Sequence, residues 1–96
     1  MAADPTLKAK IERLLGEHFS APDRVLALDG YNSNIHVMVI AHRFDAMPEF
    51  MRLDTVWEIL DSALPDHEKV KIALVLAFSP EEPEYLMALK ARGVGA

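Results

Sequence analysis

Any chemistry in this chain has to come from four histidines, two clusters of carboxylates and a few hydroxyls, because the sequence contains no cysteine. Disulfides, thiolate zinc sites and a cysteine nucleophile are excluded on that ground. His36 and His42 fall on one face of the same predicted strand, but six residues of strand separate them by roughly 20 Å. Two imidazoles that share one metal ion must come within about 4 Å of each other, so this pair cannot hold one. His18 falls at the end of a predicted helix, where a partly positive ring is favoured by the helix dipole, and His67 falls in a polar loop.

Asp54, Glu58 and Asp61 recur at spacings of four and three, and Glu81, Glu82 and Glu84 gather at a predicted helix start. Paired carboxylates do acid–base work in a water-poor cleft that separates their pKa values. On a helix surface the same spacing gives a solvated face, and at a helix start it complements the dipole. Both clusters are read that way here. Ser20, Ser33, Ser62 and Ser79 stand in no nucleophile-elbow pattern, and each has a turn, cap or surface role.

The elements that position these residues follow from periodicity. Asp4 and Pro5 form an N-cap and a first helical residue, and Leu7, Ile11, Leu14, Leu15, His18 and Phe19 recur at helical spacing, which predicts a helix over 5–19. Pro22 turns the chain. "RVLALDG", "YNSN" and "IHVMVIAH" then read as strand, turn and strand. Alternation sends Ile35, Val37, Val39 and Ala41 to the core face, with His36, Met38, Ile40 and His42 opposite.

From Phe50, the stripe Phe50, Leu53, Trp57, Leu60 and Leu64 predicts a helix that ends before Pro65, with a break near Arg52. Trp57 and Phe50 belong to the core in this reading. "PDHE" follows as a polar loop. "KVKIALVLAF" is a third strand, with Val70, Ile72, Leu74, Leu76 and Phe78 on one face and Lys69, Lys71, Ala73, Val75 and Ala77 on the other. Ser79, Pro80 and Glu82 open a last helix with a capping box, and it runs to about Ala91, leaving 93–96 as a flexible tail.

Ninety-six residues with 51% apolar and 26% charged side chains make one globular α+β domain over 1–96. The order αββααβα gives a three-stranded mixed sheet with helices on one face. The uncovered face would then show Met38, Ile40, Ala73, Val75 and Ala77, a surface suited to a homodimer or another protein contact. A formal charge of −5 disfavours nucleic acid, and the absence of a membrane-length apolar run or a signal peptide makes a cytoplasmic protein the expectation.

Two segments carry a resemblance to a known family. "VIAHRFDAMPEFMRLDTVWEIL", from Val39 to Leu60, and "VKIALVLAFSPEE", from Val70 to Glu82, resemble the BolA-like proteins, whose fold is similar to the class II KH arrangement. Phe44, Arg52, Val56, Trp57 and Leu60 fill the family's places in the first segment. Val70, Leu74, Phe78, Pro80, Glu81 and Glu82 fill them in the second. Leu53 stands where the family carries a histidine after arginine, and Lys71 replaces its other frequent histidine. Asn32, Ser33 and Asn34 occupy the hairpin loop that often supplies a cysteine or histidine.

The resemblance implies a non-enzymatic protein-interaction domain whose partner is a monothiol glutaredoxin, in iron–sulfur or redox regulation. The matching site is Asn34, Arg52, Leu53 and Lys71, and no cofactor is held by the family histidine, since a leucine has no lone pair for iron. His36, beside the hairpin loop, is the one substitute imidazole. Two other classes stand beside this reading. A KH-like nucleic-acid-binding transcriptional regulator would need a GxxG loop, which Gly16, Gly30, Gly93 and Gly95 never form. A small enzyme would have to work through His36 or the carboxylates.

Overall fold

A computed structural model of the chain describes residues 3–91. Asp4 caps the first helix through Oδ1, which accepts from the amides of Thr6 (2.9 Å) and Leu7 (3.4 Å), and α1 runs over Pro5–Gly16. A hairpin follows, made of β1 (Arg24–Asp29) and β2 (Ile35–Ile40), joined by a tight turn at Tyr31–Ser33. Then come α2 (Glu49–Ala63), the single turn α3 (Asp66–Lys69), β3 (Ile72–Phe78) and α4 (Glu84–Ala91). The strands lie in the order β1-β2-β3, antiparallel between β1 and β2 and parallel between β2 and β3. The α+β class, the mixed three-stranded sheet and the order αββααβα are those expected from the sequence.

The second and third helical elements fall differently from expectation. The α2 helix passes unbroken through Arg52, and the extra helical turn lies at Asp66–Lys69, where a polar loop was expected. Pro65 supplies an extended backbone just before that turn, and Asp66 and Glu68 place acidic groups at its start, so the local sequence starts a helix there. The last helix begins at Glu84 rather than beside Ser79, because Pro83 keeps Glu82 away from helical angles. The expected tail at 93–96 lies outside the described residues.

Ile35, Val37, Val39 and Ala41 are fully buried under α1 and α2, together with Leu7, Ile11, Leu15, Phe44, Val56 and Leu60. The third strand departs from simple alternation. Ile35 pairs with Ile72 but His36 pairs with Leu74, which leaves Ala73 as an extra residue in β3. This bulge shifts the phase of the strand. Ile72, Val75 and Ala77 therefore join the core face, while Leu76 and Phe78 turn to the other side.

The same bulge corrects the expectation of an open apolar face. Val75 and Ala77 are buried in the main core and cannot serve it. Met38 and Ile40 are buried too, because α4 lies over that face through Leu89, flanked by Leu26, Leu28, Leu76, Phe78, Tyr85 and Ala88. The two long helices α1 and α2 share one side of the sheet and α4 takes the other. The homodimer expected through an open sheet face loses its premise. No helix among the described residues is long and apolar enough to cross a membrane.

Edge strand β1 is protected by side chains from α1. Glu12 Oε2 accepts from the Ala27 amide at 3.0 Å, and Asp29 Oδ1 accepts from Lys8 Nζ at 2.6 Å and from the Ala3 amide at 3.1 Å. Capped in this way, the strand offers fewer free amides to a foreign strand.

Candidate functional site

The four residues expected to form a partner site fall at two ends of the molecule. Arg52 is anchored at the C-terminal end of β3. Its side chain is 11% exposed, and it donates from Nε to the Met47 carbonyl at 2.8 Å, and from one terminal nitrogen to Glu82 at 2.5 Å and the Ala77 carbonyl at 3.4 Å. It thereby ties the start of α2 to the end of β3 and to the β3–α4 junction. Leu53, one residue on, packs half-buried against the main core. Both side chains have structural work.

Around Arg52 the junction is closed by carboxylates. Glu82 also accepts from the Ser79 amide at 2.7 Å, while the buried Ser79 hydroxyl donates to Asp45 and accepts from the Glu81 amide at 3.2 Å. This is the Ser79–Glu82 pairing predicted as a helix cap, realised in the turn before α4. The Ser79 amide, and after it the Arg52 guanidinium, hold the Glu82 carboxyl below its ordinary range. The Ser79 hydroxyl does the same for Asp45, helped by His42 at 3.6 Å. Carboxylates held ionised by donors are poor proton carriers near neutral pH.

Asn34 and Lys71 meet at the other end of the sheet. The Ile35 amide donates to the Lys71 carbonyl at 2.8 Å, and the Asn34 carbonyl accepts from the Gly30 amide at 2.7 Å. Lys71 precedes β3, whereas Arg52 touches Ala77, and six residues of strand put roughly 20 Å between them. Asn32 and Ser33 hold left-handed backbone, with φ of 53° and 66°. Gly30 matters here for a different reason: a methyl group on it would lie 2.5 Å from His36 Cδ2 and 2.6 Å from Nε2, so the imidazole would have to shift. The His36 ring fills the space that any side chain at position 30 would need.

This end of the sheet also carries Tyr31, which the sequence reading assigned no role beyond the turn, and Val70, which it placed on the apolar face of the third strand but which caps α3 ahead of β3. Tyr31 (80% exposed) and Val70 (75%) are the most exposed of the large apolar side chains among the described residues. Tyr31 sits in the hairpin turn, where its carbonyl accepts from the Asn34 amide at 3.0 Å, and Val70 adjoins Lys71. The available signals were an aromatic residue inside a turn and a valine between two lysines. A second departure is Phe50, assigned to the core by its helical stripe but 67% exposed, because α2 buries Val56 and Leu60 and its first turn projects past them. Trp57 does pack against the core.

The remaining candidates are dispersed. Asp54, Glu58 and Asp61 lie on a solvated face, and Asp61 pairs with Lys69 at 3.2 Å. Asp61, then Asp66, raise the Lys69 ammonium above its ordinary value. Among the described residues no three histidine, aspartate or glutamate side chains gather in a way that could hold a metal ion. Set against protein-family models, curated proteins and solved structures, the chain matches none of them.

Proposed function

We propose that this chain is a non-enzymatic, BolA-like protein-interaction domain that docks a monothiol glutaredoxin through the end of the sheet at Asn34 and Lys71. One observation carries the reading: the two most exposed large apolar side chains among the described residues, Tyr31 and Val70, adjoin Asn34 and Lys71, where the Ile35 amide is hydrogen-bonded to the Lys71 carbonyl. An exposed tyrosine on a stiff turn costs little ordering entropy and supplies a large contact area. The αββααβα order and the two matched segments support the family assignment. Arg52 and Leu53 support the fold from the other end of β3, away from this surface.

An iron–sulfur cluster does not fit the residues that occupy the family's ligand places. Asn34, Lys71 and Leu53 offer neither thiolate nor imidazole, the side chains that bind such clusters. Partner binding and cluster ligation are therefore separated in this chain, and its role is that of an adaptor.

The test mixes the protein with a cluster-loaded monothiol glutaredoxin and follows both complex formation and the visible spectrum. The expected result is a complex with an unchanged cluster spectrum, weakened about tenfold or more by Tyr31→Ala, as for a hot-spot residue. Absence of a complex would remove the glutaredoxin reading. A spectrum altered by the wild-type chain, and restored by His36→Gln, would show that the imidazole has taken the ligand's place.

A further inference from the structure

A groove of about 310 Å³ opens where the first turns of α2 and α4 meet the end of β3. Half-buried Met47 and Phe78, with Pro48, give it apolar walls, and exposed Glu49 and Glu84 stand at its margin. Arg52 and Glu82 complete the lining, and their charges are joined in one ion pair at 2.5 Å. Three carboxylates against one guanidinium leave two formal negative charges. The two helix N-termini contribute about half a positive unit each, so the groove stays negative.

Exposed apolar side chains lie in the same helical turns as these glutamates: Phe50 and Met51 directly after Glu49, and Leu86 and Met87 two and three residues after Glu84, with Met87 72% exposed. Flexible, polarisable methionines suit a surface that adapts to varied apolar partners. A second copy of this chain would bring the same negative margin against itself and be repelled. A segment with lysine or arginine beside leucine-type residues meets both the charge and the apolar surface.

We infer that this groove docks a basic, amphipathic peptide segment of a partner protein. It lies at the end of β3 remote from Lys71, roughly 20 Å away along the strand. Loss of binding at one surface would leave the other as it was.

The probe is a labelled synthetic helix of lysine and leucine, with a glutamate-for-lysine version as control, titrated by fluorescence anisotropy and mapped by amide chemical shifts. The lysine peptide is expected to bind, with shifts concentrated at residues 47–52 and 84–88. The double variant Glu49→Gln, Glu84→Gln should weaken it about fivefold, the effect of two exposed charge pairs. Met87→Ser should also weaken it. Equal binding of the two peptides, shifts centred on Tyr31 and Lys71, or indifference to the double variant would overturn the assignment. So would a peptide-free dimer, seen by sedimentation and abolished by Phe50→Ser, since the occupant would then be a second copy.

Discussion

Arg52 has three acceptors and little contact with water, so its removal strands the Met47 and Ala77 carbonyls and leaves Glu82 without its counter-charge. Arg52→Ala is expected to lower the unfolding free energy by about 2–3 kcal/mol, the range for hydrogen bonds to charged groups, measured by urea denaturation. Asn32 makes a different demand. At φ 53° on an exposed turn it tolerates a backbone that a β-branched residue resists, and Asn32→Val should cost about 1–2 kcal/mol in the same assay. At this scale the sequence disclosed local pairings well. The Asp4 cap and the Ser79–Glu82 exchange both follow from spacing over three residues. The Ser79–Asp45 bond did not, since 34 residues separate the partners and neither signals the other.

Among the elements, α4 is the one whose placement decides the surface. Its attachment to the sheet rests on Leu89, buried to 1% exposure against Met38 and Ile40. Leu89→Ala should cost about 2–4 kcal/mol and raise amide hydrogen exchange in α4 before it does so in β2. Helix and strand identities were legible because their periods are strong, and Ile35, Val37, Val39 and Ala41 were read correctly as inward-facing. What periodicity could not reveal was the extra residue at Ala73. One bulge exchanges the faces of β3 downstream of it, and nothing in "KVKIALVLAF" distinguishes a bulged strand from a regular one. The open apolar face was inferred from the wrong phase, and Phe50 from a stripe that ran one turn beyond the sheet.

For the molecule as a whole, Asp29, Asp45 and Glu82 each hold a carboxyl below its ordinary value in the folded state: Asp29 chiefly through Lys8, Asp45 through Ser79, and Glu82 through the Ser79 amide and then Arg52. In the acid range the unfolded chain binds more protons than the folded one, so stability rises with pH there. The contribution is complete above the ordinary carboxylate values of 3.8 and 4.5 and is lost as pH falls through the lowered folded values. Urea midpoints should therefore drop between pH 5 and pH 3, and drop less in Arg52→Ala than in the parent. The proposed docking surface was legible only in part. Asn34 and Lys71 were picked by their places in a pattern, but their meeting depends on a parallel pairing that brings residues 35 and 72 together.

That parallel pairing also sets an order of events for the folding chain. The hairpin closes over a few residues, within microseconds for a loop of that size, while β3 reaches β2 only after about thirty intervening residues have been drawn into a loop, an entropic toll on closure. Until then the inner strand of the finished sheet has one flank bare, and a newly made chain passes through a window in which that flank is open to adhesion with its neighbours.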